Sequence, residues 1–307
     1  MPETGIVIRS TGSAYVVRKP DGETMECRLK GKIRLEGSKS TNPVAVGDEV
    51  ELANDGRDYV IAGIRPRRNH IVRKSTNLSK QTHVIAANVD QALLVTTINH
   101  PETSTVFIDR FLASAEAYGI ETIIVINKTD LLTEAEREEL AYRKAVYESI
   151  GYKVLTISAT EGSGIDDVRE TLRGKVTVLS GHSGVGKSTL ANKVEPGLEL
   201  RTDDISEANN SGKHTTTFAE MHPLSIGGYL IDTPGIRGFG IINIEREEVS
   251  HYFRDIFRHS AGCRYPNCTH THEPGCAVTR AVEEGLIAPT RYESYVNIMD
   301  EDEGKYR

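Results

Sequence analysis

The stretch Gly181-His182-Ser183-Gly184-Val185-Gly186-Lys187-Ser188 decides how this chain folds. It follows the apolar run Lys175–Ser180, which predicts a buried strand, and precedes Thr189–Lys193, which predicts the start of a helix. Its glycines let backbone N–H groups point at phosphate oxygens beside a helix N-terminus. We expect Lys187 to reach the β- and γ-phosphates and the Ser188 hydroxyl to ligate Mg²⁺. The alternative is a glycine-rich turn without a ligand.

A second motif, Asn127-Lys128-Thr129-Asp130, follows the β-branched run Thr122–Ile126, which is typical of a parallel strand. The Asp130 carboxylate can accept hydrogen bonds from the N1–H and the exocyclic amine of guanine, a donor pair that adenine lacks. We therefore expect selection of GTP over ATP. A further strand, Lys153–Ile157, ends in Ser158 and Ala159, which resemble the loop that supports guanine O6 through a backbone N–H. Either motif alone could be a plain loop, but their joint occurrence favours a guanine site.

The order of these motifs is unusual. In ordinary GTPases the phosphate-binding loop precedes the guanine motif, whereas here the guanine motif comes first. The strand Gly228–Asp232 and the following Thr233-Pro234-Gly235 lie after the phosphate loop, as usual. Asp232 is expected to hold Mg²⁺ through water and the Gly235 N–H to sense the γ-phosphate. The sequence thus predicts a circularly permuted α/β P-loop GTPase domain.

The polar segment Arg201–Thr217 is expected to be a switch that responds to the bound nucleotide. A threonine in it would complete the Mg²⁺ shell when GTP is present. We favour Thr216, with Thr215 and Thr217 as alternatives.

The residue that orients the attacking water is not obvious from the sequence. Signalling GTPases often carry a glutamine after the Asp-x-x-Gly motif, but Ile236 stands there, and its side chain can neither orient nor deprotonate water. His214 is the best candidate, because imidazole titrates near neutral pH. A surface histidine in a polar loop is the alternative.

Three cysteines and two histidines cluster near the C-terminus. Three thiolates, from Cys263, Cys268 and Cys276, and one imidazole make a closed tetrahedral zinc site with no position for water. The residues alone leave His270 and His272 as alternatives for the fourth ligand. Reduced cysteines in a small core are the alternative to a metal.

The N-terminal region has a different character. Up to about residue 82, short alternating runs between Gly, Asp, Asn and Pro turns predict a small all-β barrel of the OB type. This region carries a net positive charge, although the whole chain has a net charge of −7. OB-type barrels commonly bind RNA, and a solvated basic face is the alternative. The candidate RNA contacts are Arg65, Arg67, Arg68, Arg73 and Lys74.

The 307 residues are long enough for several domains. We expect an OB-fold RNA-binding domain at 1–68, a linker at 69–82, the GTPase domain at 83–240 and a small helical zinc-binding domain at 241–307. In the last, Ile244–Phe257 and Ala277–Leu286 are predicted helices. Without an apolar run of membrane-spanning length or a basic-then-apolar N-terminus, and with clustered cysteines, we expect a cytoplasmic monomer with no membrane partner.

Over essentially its whole length, the chain resembles the RsgA (YjeQ) family of small-ribosomal-subunit biogenesis GTPases. The resemblance rests on the two nucleotide motifs, Lys213–Thr217, Asp232–Gly235 and the Cys-x₄-Cys-x-His-x₅-Cys spacing. It implies an OB-fold, a permuted GTPase domain and a zinc domain in that order. It also implies zinc ligation by Cys263, Cys268, His270 and Cys276, and a role of His214 in hydrolysis. Lys213 departs mildly from the family, which often has Arg there.

The resemblance further implies a partner. It points to late maturation of the small ribosomal subunit, contact with its ribosomal RNA, GTP hydrolysis stimulated by the subunit, and release of the GDP form. Because the chain runs from Asp232–Gly235 directly toward the zinc domain, hydrolysis could tilt that domain. The rival functions are a permuted GTPase of the large subunit and a GTP-gated RNA-binding module in which turnover is incidental.

Overall fold

The computed structural model describes residues 3–11, 14–30, 43–54, 56, 58–74, 82–200, 219–232 and 246–300. The strands among them are β1 (Glu3–Ser10), β2 (Tyr15–Arg18), β3 (Thr24–Leu29), β4 (Glu49–Asn54), β5 (Tyr59–Ile64), β6 (His70–Lys74), β7 (Thr82–Ala87), β8 (Gln91–Thr97), β9 (Glu121–Asn127), β10 (Lys153–Thr156), β11 (Val176–Ser180), β12 (Glu220–Pro223) and β13 (Tyr229–Asp232). The α-helices are α1 (Thr105–Ala117), α2 (Glu134–Ser149), α3 (Ile165–Leu172), α4 (Lys187–Val194), α5 (Arg254–Ser260), α6 (Ala277–Glu283) and α7 (Pro289–Met299).

The first five strands form a barrel in the order β1-β2-β3-β5-β4, which closes through the pairing of β4 with β1. The pair β3–β5 is parallel and the others are antiparallel. Alternate side chains, such as Val7, Val17 and Ile61, point inward and are fully buried. The expected OB-like barrel is confirmed, since this is the strand arrangement of a five-stranded Greek-key barrel.

The central sheet runs in the order β10-β9-β8-β11-β13-β12. Its first five strands are parallel, and β12 is antiparallel to β13. Successive side chains of β8 enter different cores, Leu94 on one side and Leu93 on the other, as in parallel sheets covered on both faces. Strand β9, which carries the guanine motif, precedes the phosphate-loop strand β11 in the chain but lies only two places from it in the sheet, with β8 paired to both. The circular permutation of the α/β domain is thereby confirmed.

The barrel and the central sheet are joined by backbone pairing. Arg9 of β1 pairs with Glu220 of β12, which makes the two sheets continuous. The Ala87 N–H donates to Val46 O at 2.8 Å. The region expected to be a linker, 69–82, contains strand β6, which pairs with β7, so it is more than a plain connection. The domain boundaries themselves stay predictions.

The C-terminal unit, residues 246–300, is helical, and its core is separate from the others except that Ala113 of α1 packs into it. The predicted helix Ile244–Phe257 is wrong in detail: residues 246–252 form a 3₁₀-helix, Phe253 is extended, and α5 starts at Arg254. The extended backbone accompanies the burial of the Phe253 ring, which meets Tyr295 edge to face with centroids 5.5 Å apart. Helix α6 ends before Gly285, whose φ of +73° is typical of a helix C-terminus.

A buried ion-pair cluster fastens this unit to α1. Arg291 of α7 donates to Asp109 of α1 at 2.6 Å and to both oxygens of Asp255 at 2.8 and 3.1 Å. Burial raises the pKa of Asp255, but the charge and hydrogen bonds of Arg291 outweigh it, so that pKa lies below its usual range. Breaking such a cluster by removing one partner costs about 3–5 kcal/mol. The cluster joins the C-terminal unit to α1, and the expected tilt of that unit on hydrolysis stays a prediction.

Among the described residues, the helices are too short or too polar to cross a bilayer.

Candidate functional site

The candidate nucleotide site lies where the parallel strands end. Strand register sets Thr97 beside Asn127 and Leu179 beside Asp232, so the carboxyl ends of β8, β9, β11 and β13 lie at one edge of the sheet. In open α/β sheets, ligands bind outside the carboxyl ends of the strands. The two nucleotide motifs are therefore brought together although some fifty residues separate them.

Asn127 joins the loops that follow β9, β10 and β11. Its Nδ2 donates to Val185 O at 2.9 Å, and its Oδ1 accepts from the Ala159 N–H at 3.0 Å. The side chain is 2% exposed. Gly186, with φ of +92°, lies so close that a Cβ there would be 2.4 Å from Asn127 Nδ2. The phosphate loop and the Ser158–Ala159 loop thus have fixed positions relative to the guanine motif.

The rest of the guanine motif consists of an anchoring residue, Thr129, and a buried hydrogen-bond acceptor, Asp130. Thr129 anchors the motif, donating from its N–H and Oγ1 to Ile157 O at 3.2 and 3.0 Å. Asp130 Oδ1 is buried and has no hydrogen-bond partner in the part of the chain that the structure describes. Buried polar atoms are nearly always paired, so this one calls for a donor from a ligand. Guanine supplies such donors.

Lys128 connects the guanine motif to the phosphate loop. Its backbone is left-handed, with φ of +64°. Its Nζ donates to Gly184 O at 2.7 Å and also to His100 O. The side chain therefore lies across the site, as expected for a stem that packs along a purine.

The phosphate loop itself has the geometry that phosphate binding needs. Gly181 has φ of +141°, and a Cβ there would be 2.2 Å from Val95 O. The N-cap of α4 is Gly186, which has no side chain to bond the first N–H groups of the helix. Ser188 and Thr189 lie in the first turn, while Ser183 is at the exposed tip of the loop. A phosphate fits these unshared N–H groups.

Lys187 lies inside this loop. Its Nζ donates to the carbonyls of Gly181 at 2.8 Å and of His182 at 2.6 Å. Burial lowers the pKa of Lys187, and the nearby Asp232 carboxylate opposes that shift. A phosphate would replace the two carbonyls as the partner of this ammonium.

The Mg²⁺ and hydrolysis residues are described only in part. Ser188 lies in the first turn of α4, which follows β11 and its loop, and Asp232 is the last residue of β13, which pairs with β11. Gly235, His214 and the three threonines at 215–217, including Thr216, lie outside the described residues.

The metal-binding side chains converge in the C-terminal unit. Cys263, Cys268, His270 and Cys276 place their donor atoms within 4.8 Å of one another. His270 Nδ1 is 3.5 Å from both Cys263 Sγ and Cys276 Sγ, and those sulfurs are 3.9 Å apart. Tetrahedral zinc with Zn–S of ~2.3 Å and Zn–N of ~2.0 Å gives an S···S distance of ~3.8 Å and an S···N distance of ~3.5 Å. The cluster has the size of a zinc site, and the sulfurs are too far apart for a disulfide.

Side chains around the cluster orient its loop. The Tyr292 and Tyr295 hydroxyls donate to the carbonyls of His270 and Thr269, both at 2.8 Å. The Glu273 carboxylate accepts from the Thr269 N–H at 2.7 Å. His270 is 3% exposed, whereas His272 is exposed and lies outside the cluster. Of the two alternatives for the fourth ligand, the structure brings His270 into place.

The candidate RNA-binding arginines differ sharply from one another. Arg67 has a 10% exposed side chain and forms a forked ion pair with the buried Asp48, with N···O distances of 2.6 and 2.7 Å. Arg68 is 61% exposed and pairs with Asp90, and Arg65 is 3.6 Å from Glu49. Arg67 is therefore a structural residue of the barrel, and its assignment as an RNA contact stays a prediction. The side chains of Arg73 and Lys74 are not among those described.

Two contacts of the site went unnoticed in the sequence. The His100 carbonyl binds Lys128, and the Phe107 ring lies on the His182 ring of the phosphate loop. Neither His100 nor Phe107 belongs to a motif, and the apolar spacing of α1 marks Phe107 only as a core residue. Both contacts depend on the pairing of β8 with β11, which the sequence does not reveal.

The strand order, the phosphate loop and the guanine motif define a circularly permuted P-loop GTPase. Comparisons with known proteins make this specific. Residues 64–242 match the model of the RsgA GTPase family, and residues 4–60 match that of the RsgA N-terminal domain. The chain belongs to the RsgA GTPase family and is a GTP hydrolase, which confirms the resemblance drawn from its motifs.

Individual relatives cover nearly the whole chain. The small ribosomal subunit biogenesis GTPase RsgA of Bacteroides fragilis is 55% identical over 99% of this chain and 98% of the relative. The crystal structure of YjeQ from Thermotoga maritima is similar with a TM-score of 0.81 at 37% identity, covering 97% of this chain and 98% of that one. The structure of YloQ, described as a circularly permuted GTPase, has a TM-score of 0.75 at 30% identity, covering 97% and 94%.

Proposed function

We propose that this chain hydrolyses GTP during late maturation of the small ribosomal subunit, that the subunit stimulates hydrolysis, and that hydrolysis releases the protein. The guanine part of the proposal is carried by the buried, unpartnered Asp130 Oδ1 beside a loop that exposes helix N–H groups. The ribosomal part is supported by the name of the Bacteroides fragilis relative, a small ribosomal subunit biogenesis GTPase. Such a role takes place in the cytoplasm, and we propose that the protein acts as a monomer.

The described residues have distinct parts in this reaction. Asp130 reads guanine, and the Ala159 N–H supports its O6 while Asn127 keeps the loops in register. Lys187 stabilises negative charge as it develops on the phosphates, an effect that is strongest in the transition state. Mg²⁺, held by Ser188 and through water by Asp232, would neutralise the β- and γ-phosphate oxygens.

Two residues of the switch complete the proposal. Thr216 is proposed to join the Mg²⁺ shell, and His214 to orient the attacking water in place of the missing glutamine. The Cys263, Cys268, His270 and Cys276 cluster holds structural zinc, because three thiolates and an imidazole prefer that ion and leave no open position for catalysis.

The barrel supplies the contact with ribosomal RNA in this account. Its excess of basic residues gives a sequence-independent attraction to phosphate. Of the arginines assigned from the sequence, Arg68 and Arg65 have exposed side chains available for such contact, even though each also pairs with an acidic neighbour. Arg67 contributes indirectly by holding the barrel together.

The test is GTP turnover by the full chain alone, with purified small subunits and with purified large subunits. The proposal predicts stimulation by the small subunit only. Equal stimulation by the large subunit would favour the rival GTPase, and GTP-dependent binding without stimulated turnover would favour the RNA-binding module. Lys187→Ala is the matched control, since turnover that persists in it belongs to a contaminant or to another site.

A further inference from the structure

Helix α1 lies between the phosphate loop and the C-terminal unit. In its first turn, the Phe107 ring lies on the His182 ring, with centroids 3.7 Å apart and planes inclined by 31°. The helix start is fixed by Ser104, whose Oγ accepts from the Phe107 N–H at 3.3 Å. The loop residue that Phe107 contacts is the same one whose carbonyl accepts from Lys187 at 2.6 Å.

On the opposite face of the same turn, the buried carboxylate of Asp109 is paired with Arg291. Asp109 accepts from Arg291 at 2.6 Å and from the Tyr147 hydroxyl at 2.9 Å, and its side chain is fully buried. Residues two apart on a helix point roughly 200° apart around its axis. Phe107 and Asp109 therefore face opposite ways, one toward the phosphate loop and one toward the C-terminal unit.

We infer that Phe107 is a positioning residue for GTP, which holds the phosphate loop through His182 and is itself held in place by the Asp109–Arg291 pair. The inference deepens the proposed function and rests on the nucleotide site proposed there. When GTP binds, Lys187 must exchange the Gly181 and His182 carbonyls for phosphate oxygens. The ring pair keeps the peptide at His182 in place during that exchange, so the loop N–H groups stay aimed at the phosphates.

The primary test compares Phe107→Leu with Phe107→Tyr. Aromatic pairs contribute enough that losing one should weaken GTP affinity about twofold to tenfold. The loss should appear in KM and in the equilibrium Kd, with kcat nearly unchanged, since Phe107 does not touch the reacting atoms. Phe107→Tyr keeps the ring and should restore the affinity.

A spectroscopic readout separates positioning from general loosening. The imidazole protons of His182, observed by NMR, should be shifted by the ring current of Phe107. The shift should vanish in Phe107→Leu and persist in Phe107→Tyr. A Phe107→Leu variant with normal GTP affinity, or one in which only kcat falls, overturns the inference.

The anchor is tested by Arg291→Lys, which keeps a positive charge but loses the forked donation to Asp255. It should reduce GTP affinity to a similar extent, and its effect should not add to that of Phe107→Leu, because both act through one contact. The matched control is Arg254→Met. Arg254 of α5 pairs with Glu116 near the C-terminal end of α1 at 2.6 Å, and its side chain is 32% exposed. GTP affinity should be normal in that control.

Three outcomes separate the anchor, the positioning role of Phe107 and the proposed function from one another. If the effects of Arg291→Lys and Phe107→Leu on GTP affinity are fully additive, the Asp109–Arg291 pair does not hold Phe107 in place. If Lys187→Ala weakens nucleotide binding while Phe107→Leu does not, the nucleotide site stands and the positioning role is wrong. If neither variant affects GTP binding and Lys187→Ala also turns over GTP normally, the proposed nucleotide site itself is wrong.

Discussion

The nucleotide site and the cysteine cluster are both made of loops, but they are held in opposite ways. The loops of the nucleotide site end strands of one large sheet and are bonded to each other through the buried Asn127. The four cluster side chains lie mostly on the loop between α5 and α6, and thiols face each other at its centre. The fold alone arranges the first site, whereas the second is a group of side chains that could hold a metal ion, and we expect a bound cation to keep its parts together.

The difference predicts how each site fails. A substitution in the nucleotide site should change chemistry while the fold persists. A substitution in the cluster should change the fold of the C-terminal unit and affect nucleotide binding only modestly, through α1.

The largest effect is expected from Lys187→Ala. Removing the ammonium from a partly buried phosphate site should lower steady-state GTP turnover by about 100-fold or more. The melting temperature should change little, since the hydrogen-bond partners of Lys187 in this structure are two neutral backbone carbonyls and its removal leaves no charged partner of those bonds behind. The exposed Lys193 at the end of the same helix provides the control: Lys193→Ala should turn over GTP normally. Turnover near normal in Lys187→Ala would contradict the assignment.

The next effect concerns the metal. His270→Ala should abolish binding of about one zinc per chain, measured by elemental analysis, and residues 246–300 should lose protection in hydrogen exchange. His272→Ala, two residues away but outside the cluster, should keep both. GTP should still bind to His270→Ala, with affinity reduced no more than in Phe107→Leu. Equal zinc content in the two histidine variants would show that the ligand is misassigned.

A third prediction separates two neighbouring arginines of the barrel. Arg67→Ala leaves Asp48 buried and unpaired, so it should lower the free energy of unfolding by about 3–5 kcal/mol. Arg68→Ala should leave stability nearly unchanged but weaken binding to small subunits and reduce the dependence of that binding on salt. Urea unfolding and sedimentation binding at several salt concentrations measure the two effects. Indistinguishable variants would remove the distinction between a structural and a contact arginine.

The smallest effect is a pH dependence near the nucleotide site. Hydrogen bonds from the Thr133 N–H, Asn99 and the Thr133 hydroxyl lower the pKa of Glu136 to about 2, from an ordinary value of 4.5. Because the folded pKa is depressed, the stabilisation is present above pH 4.5 and is lost as the pH falls toward 2. The free energy of unfolding of Glu136→Gln should therefore be lower than that of the unchanged chain above pH 4.5. The two free energies should converge as the pH falls toward 2. A constant difference across the window would count against the assignment.

Much of both sites could be predicted from the sequence because the residues of each site lie in short, continuous segments of the chain. The phosphate loop, the guanine motif and the cysteine spacing are short patterns whose chemistry follows from residue type, and alternating or apolar runs marked most strands. Contacts between distant residues were not accessible. Arg291 and Asp109 are 182 residues apart, and no local pattern reports that they meet.

The basic charge of the barrel shows the same limit. Charge counting marked Arg67 and Arg68 alike, since a sequence does not show which guanidinium has a buried carboxylate as its partner. The break at Phe253 was missed for a related reason, because burial of its ring in a small core outweighs the helical spacing of its neighbours.

The most direct test of the account is the base preference of Asp130→Asn. The account predicts that this variant binds GTP much more weakly than the unchanged chain does and now prefers xanthosine triphosphate, because the C2 oxygen of xanthine accepts a hydrogen bond from the new amide. Direct titration of both nucleotides into both proteins measures the switch. An Asp130→Asn variant that keeps its preference for GTP would show that the unpartnered carboxylate oxygen does not read guanine.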